Sequence, residues 1–183
     1  MKNIIKNAII LTLITLVAGS ALAFVYSITK EPIAQAEIKA TQEAYKTVFD
    51  TAEEFKELEL AEYNDENGAV VSAVSSAVKG DDIIGFVMTT AAKGYGGDIK
   101  VAVGIDKNGA LTGISILDAA NETPGLGAKV KEDDFTSQFA GVKASELDSQ
   151  VDAISGATFS TNGVKNAVDA AFNYFEKNLK EGV

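Results

Sequence analysis

The chain opens on an apolar run. From Asn7 to Thr29 no residue is charged, and Ile, Leu, Val and Ala predominate. These 23 residues exceed the ~20 that a helix needs to cross a hydrocarbon core. A cleaved signal peptide is the rival reading, since Ala21-Leu22-Ala23 has small-x-small form. Against cleavage, the run is longer than an ordinary signal core of about 7–15 residues, and Phe24, Val25, Tyr26 and Ile28 carry it past that site. The segment 1–30 is therefore read as a short tail plus a retained transmembrane anchor. Pro32 suits a first helical turn or the link out of the membrane. Ile33, Ala36, Ala40, Ala44 and Val48 then recur at helical spacing.

Farther on, the period changes. Thr51-Ala52-Glu53-Glu54 has capping-box form and predicts a short helix with Phe55 and Leu58 on one side. A polar turn is expected over 64–68. Four β-branched or apolar stretches follow, at 69–78, 82–91, 98–105 and 110–117, separated by Gly80-Asp81, the Gly94–Gly97 cluster and Asn108-Gly109. Asn-Gly between alternating segments predicts a type I′ hairpin. Residues 119–128 read as a loop around Pro124, and Asp133-Asp134-Phe135 starts a short helix ending near Gly141. Val164, Ala167, Val168, Ala171, Phe172, Phe175 and Leu179 form one stripe of a final helix, with Thr161 or Asn162 as its cap. The pattern predicts an α+β fold: a transmembrane helix over 1–30, then one domain over 31–183 with an antiparallel β-sheet flanked by helices.

Charge adds sidedness. The chain has 16 basic and 26 acidic residues and a net charge of −10. All the basic residues are Lys. Lys2, Lys6 and Lys30 are the charges of the first thirty residues, so all 26 acids lie beyond them. Lysines on the leading tail keep it in the cytoplasm, which sends the acidic domain to the extracytoplasmic side. So acidic a domain is a poor partner for nucleic acid phosphates. With no His, Cys, Arg or Trp, the chain has no catalytic triad, no Cys nucleophile and no zinc site of the usual N/S type. No catalytic or metal-ligating set stands out, and redox chemistry would have to be carried by an organic cofactor.

Two stretches carry candidate chemistry. Asp152-Ala-Ile-Ser155-Gly156-Ala157-Thr158-Phe159-Ser160-Thr161 is a hydroxyl-rich turn before the last helix. Its small residues permit close approach, and a helix N-terminus favours phosphate; ordinary helix capping is the other reading of the same residues. Asn121-Glu122-Thr123-Pro124-Gly125-Leu126-Gly127 combines a fixed φ at Pro124 with two glycines that let a flat ring lie against main chain; a plain Pro-Gly turn is the alternative. Leu126 is a cover for a ring or a core residue. Tyr95 stacks on a ring or merely packs. Lys129, Lys131 and Lys143 are the nearest cations for a phosphate, or solvated surface lysines.

Ser155-Gly156-Ala157-Thr158, preceded by Asp152, resembles the Asp-x-x-Ser/Thr-Gly-Ala-Thr pattern of covalently flavinylated proteins. Together with Glu122–Gly127, Gly94-Tyr95-Gly96-Gly97 and the single anchor, it resembles the G subunit of the Rnf electron-transport complex, over nearly the whole chain. The C subunit of the sodium-pumping NADH:quinone reductase is related. The resemblance implies FMN joined by its phosphate to Thr158, with Ser155, Gly156, Ala157, Glu122, Thr123, Gly125, Leu126 and Tyr95 around it. Ser160 and Thr161 are hydroxyls that a mass map could confuse with Thr158. It implies a flavin transferase for maturation, other membrane subunits as partners, and electron transfer in an ion-translocating ferredoxin:NAD+ oxidoreductase, as one component of that enzyme rather than a complete catalyst. A component of a sodium-pumping NADH:quinone reductase, a stand-alone extracytoplasmic flavin reductase and an anchored binding domain are the alternatives. The family often has His before the 122–127 loop. Ala119 and Ala120 stand there, so no role of that His applies.

Overall fold

The computed structural model describes residues 2–61, 63 and 67–180. They divide into two compact units, 1–40 and 41–183. The described residues of the first unit are all helical, part of α1 (Lys2–Val48). Its apolar side chains are exposed: Ile4, Leu11, Leu22 and Phe24 all face outward. Among the described residues this is one helix long and apolar enough to cross a membrane. Pro32 lies inside the helix rather than at its start. It lacks the N–H that would reach back to Ile28. Ser27 and Thr29 turn their hydroxyls back onto the Phe24 and Val25 carbonyls, keeping those polar groups satisfied within the helix.

In the second unit a five-stranded antiparallel meander runs in the order β1-β2-β3-β4-β5. The strands are β1 (Glu54–Leu58), β2 (Val70–Lys79), β3 (Asp82–Lys93), β4 (Asp98–Asp106) and β5 (Leu111–Asp118). Four of them match the alternating stretches of the sequence. The fifth, β1, replaces the helix expected after Thr51. Phe55 and Leu58 are three residues apart, so in a strand they face opposite ways: Phe55 packs with Tyr45 and Leu58 against the main core. Glu54, the acid of the expected capping box, opens the strand and lies 3.6 Å from the Lys56 ammonium, and the carboxylate of its neighbour Glu53 accepts the Gly80 N–H of the β2–β3 turn. The polar turn expected over 64–68 falls mostly outside the described residues.

The hairpin at Asn108-Gly109 forms, but not as type I′. Only Gly109 has positive φ, whereas type I′ needs it at both central residues. The Asp106 carboxylate accepts the N–H groups of Asn108 and Ala110, and Asp106 N–H donates to the Ala110 carbonyl. The loop is thus one residue longer, and a register shift between Gly104 and Ile105 absorbs the difference.

One sheet face carries the main core. Ile99, Val101, Val103 and Ile105 of β4 alternate inward with Phe86 and Met88 of β3. Against them lies α4 (Thr158–Tyr174), followed by a π-helical turn to Leu179. Its expected stripe is buried from Val164 to Phe175, with Leu179 partly so. Each large side chain so buried contributes roughly 1.5–3 kcal/mol. Short helices α2 (Asp133–Thr136) and α3 (Leu147–Gln150), with the 3-10 turn Ser137–Phe139 that follows α2, close the end of this core through Phe135, Leu147 and Phe139. The opposite face is covered by the end of α1: Ala44, Tyr45, Val48 and Phe49 pack on Ala77, Val87 and Ala102.

Candidate functional site

Two tight turns meet at one corner of the sheet. In the first, Thr123-Pro124-Gly125-Leu126, the Leu126 N–H donates to the Thr123 carbonyl at 3.1 Å, and Gly125 has φ +71°. Pro at the second and a positive-φ Gly at the third position are the signature of a type II turn. In the second, Ile154-Ser155-Gly156-Ala157, the Ala157 N–H donates to the Ile154 carbonyl at 2.9 Å, and Gly156 has φ +78°. The turns touch: a Cβ on Gly156 would lie 3.3 Å from Leu126 Cδ1. A third segment, the β3–β4 connection, completes the corner. A side chain at Gly96 would strike the Asn121 carbonyl, and one at Gly163 of α4 would press on Lys93 and Gly94.

The junction encloses a cavity of about 370 Å³ lined by Tyr95, Thr123, Leu126, Gly127, Gly156, Ala157, Phe159 and Ser160. That is within the usual range of small-molecule sites, ~300–1,000 Å³. Tyr95 and Phe159 stand exposed at its rim with ring centroids 6.3 Å apart. Glu122 lies behind the wall, 3% exposed. Its Oε1 accepts the Gly96 N–H at 3.0 Å and its Oε2 the Ser160 hydroxyl at 2.5 Å.

The start of α4 is not capped as expected. Ala157 occupies the N-cap without a side-chain bond. Thr161 is already in the first turn, where its hydroxyl donates to the Ala157 carbonyl and accepts the Ile154 N–H. The N–H groups of Thr158, Phe159 and Ser160 precede the first intrahelical donor, Thr161, so they and the positive end of the helix dipole remain for an anion.

Of the residues singled out by sequence, Tyr95, Thr123, Leu126, Gly156 and Ala157 line the cavity. Gly125 and Ser155 are exposed at the turn apices and do not line it, and Glu122 supports it from behind. Thr158 is exposed between the lining residues Ala157 and Phe159. The lysines do not converge there. Lys129 borders a separate cavity of about 150 Å³ with Glu132, Asp134 and Asp152. Lys143 sits in a bridge with Ala110, and Lys131 does not line the cavity. Sequence reasoning does not reach Phe159 and Ser160 as wall residues. Phe159 carries a usable signal: a Phe at a helix start that lies off the apolar stripe of 164–179.

Residues 94–173 match the FMN-binding domain family, and residues 1–48 match the RnfG N-terminal region. The chain is 32% identical to the G subunit of the proton-translocating ferredoxin:NAD(+) oxidoreductase complex of Clostridium ljungdahlii, over 87% of this chain and 86% of that one. It is 30% identical to the G subunit of the Na(+)-translocating ferredoxin:NAD(+) oxidoreductase complex of Acetobacterium woodii, over 96% and 93%. The chain belongs to the RnfG family, the G subunits of ion-translocating oxidoreductase complexes. A crystal structure of the C subunit of the Na(+)-translocating NADH-quinone reductase from Parabacteroides distasonis superposes on 59% of this chain and 61% of its own, with a TM-score of 0.46 and 24% identity.

Leu126, Tyr95 and Phe159 offer apolar surface to a flat ring, and Gly127, Gly156 and Ala157 line the cavity without bulky side chains. The uncapped start of α4 suits a phosphate without any Arg. The residues present fit FMN.

Proposed function

We propose that this chain is the flavin-bearing component of a membrane-bound, ion-translocating ferredoxin:NAD+ oxidoreductase, with FMN joined to Thr158 through a phosphoester. One observation carries the site assignment. Among the three hydroxyls at the start of α4, Ser160 and Thr161 are buried and hydrogen-bonded, whereas Thr158 is exposed and next to the free N–H groups. A transferase can reach that hydroxyl, and those N–H groups then donate to the phosphate oxygens. FMN supplies the capacity to accept and release electrons. The protein's part is to hold it against the Leu126 and Gly156 turns, with Tyr95 and Phe159 at its edge.

The remaining assignments extend the same reading. Residues 1–30 anchor the chain with the N-terminus in the cytoplasm, and 31–183 form an extracytoplasmic domain that meets other membrane subunits. The tether suits that location, since an untethered flavin outside the membrane is lost on dissociation. Electrons enter and leave through neighbouring subunits, so the chain alone does not complete a catalytic cycle.

The test is co-expression of the full chain with a flavin transferase, followed by denaturation, in-gel flavin fluorescence and peptide mass. Wild type and Ser155→Ala are expected to be fluorescent with added mass at Thr158, and Thr158→Ala to be dark. Covalent flavin persisting on Thr158→Ala refutes the attachment site, and a dark wild type refutes the flavin role. Sidedness has its own check, because the chain has no Cys. A Lys107→Cys variant should react with a membrane-impermeant maleimide in intact spheroplasts; labelling only after lysis reverses the proposed orientation.

A further inference from the structure

Glu122 is unusual among the 26 acidic residues. It is the one buried acid among the described residues, and no described lysine pairs with it. The surrounding backbone makes room for it: a Cβ on Gly94 would lie 2.5 Å from Oε1, and one on Gly127 2.5 Å from Oε2. Both oxygens accept hydrogen bonds, from the Gly96 N–H and from the Ser160 hydroxyl, an arrangement matched to an acceptor-only carboxylate. Burying such a charge is expensive even when it is bonded. A Gln of the same shape would fill the space without the charge, its oxygen on the Gly96 N–H and its amide donating to a reversed Ser160 hydroxyl, so packing and bond count alone do not explain the acid. Its contact Ser160 and its neighbour Thr123 both line the cavity, which puts the carboxylate one hydrogen bond behind the wall.

Accepting the flavin reading above, we propose that Glu122 is a positioning residue that sets the reduction potential of the site: its buried negative charge, partly screened by the Ser160 hydroxyl dipole, opposes the arrival of electrons in the cavity. Charge–charge energies are several-fold larger at the protein's interior than in water, and Glu122 is closed off from solvent. The same carboxylate fixes the direction of the Ser160 hydroxyl. With its proton given to Glu122, that hydroxyl presents lone pairs, not a donor, to the cavity.

The two hydrogen-bonded partners give tests of opposite sign. Glu122→Gln removes the charge and keeps the shape, so the midpoint potential should rise. Ser160→Ala leaves the charge and removes its screening donor, so the potential should fall. Loosened packing would move both variants the same way. The experiment is a spectroelectrochemical titration of the flavinylated full chain in detergent, with flavin loading matched by absorbance. Opposite shifts support the assignment; shifts of the same sign, or no shift in either, overturn it. Should Glu122→Gln fail to fold, Ser160→Ala decides alone: a lower potential supports the role, and an equal or higher one removes it. A wild type that carries no flavin fails the underlying reading instead, and is distinguishable because there is then nothing to titrate.

Discussion

The second unit uses glycine at two places, with opposite results. On the face covered by the end of α1, Gly85, Gly104 and Gly113 clear a strip across β3, β4 and β5. The chain fills that strip with its own atoms: Phe49 Cζ lies 2.6 Å from where a Gly85 Cβ would stand, and the Val48 carbonyl accepts the Thr112 hydroxyl. At the corner, Gly94, Gly96, Gly127 and Gly156 likewise bring segments together, but the gap between Leu126, Phe159 and Tyr95 is left open. The closed strip is lined by aliphatic and aromatic groups that complement one another. The open corner is bounded by two turns whose glycines take the positive φ that the turns need and bring no side chain to fill the space. Absence of a Cβ therefore does not by itself mark a binding site. What marks it is whether a neighbouring side chain occupies the room provided.

This contrast breaks most visibly at Phe49. Truncating a buried aromatic costs about 3–5 kcal/mol, so Phe49→Ala should lower stability by that amount in a urea titration followed by tyrosine fluorescence, which no Trp obscures. Flavin loading of the folded fraction should be unaffected. A loss no greater than about 0.5 kcal/mol, the level of a surface change, would mean that the strip is not a packed contact. Gly96→Ala comes next. Its Cβ would collide with the Asn121 carbonyl, and overpacking of this sort costs about 1–3 kcal/mol. Because that collision displaces the loop bearing Glu122 and Thr123, flavin loading should fall together with stability. Stability lost with full flavin loading would detach the corner from the site.

The difference between these regions also explains what could be read in advance. Four strands and the final helix carry their period in consecutive residues, so 69–78, 82–91, 98–105 and 110–117 stand within a residue or two of β2 to β5. β1 departs from its local form: Thr-Ala-Glu-Glu has the shape of a capping box, but Glu54 opens a strand and the neighbouring Glu53 bonds Gly80, 27 residues away. Asn108 misled because the Asp106 carboxylate competes for the turn amides. The two turn motifs were legible, since Pro-Gly and Ser-Gly report φ locally. The bonds from Glu122 to Gly96 and Ser160 span 26 and 38 positions, and nothing local encodes them. Thr161 looked like a cap because its hydroxyl does bond backbone at the helix start, but from inside the first turn.

The smallest effect on stability should be the most informative about the open corner. Phe159 is 70% exposed and Tyr95 71%. Neither ring is held by the core, and their centroids are 6.3 Å apart at a 49° tilt. Phe159→Ala should change stability by no more than about 0.5 kcal/mol. Its ring borders the cavity beside the proposed attachment threonine. In the flavinylated protein its removal should open the ring edge to solvent, so that iodide quenches flavin fluorescence more steeply than in wild type. The same measurement on Phe49→Ala should match wild type, because that ring closes a space the flavin does not share. If Phe159→Ala left quenching unchanged, the rim would be an incidental apolar patch, and the difference between the filled strip and the open corner would lie in the turns alone.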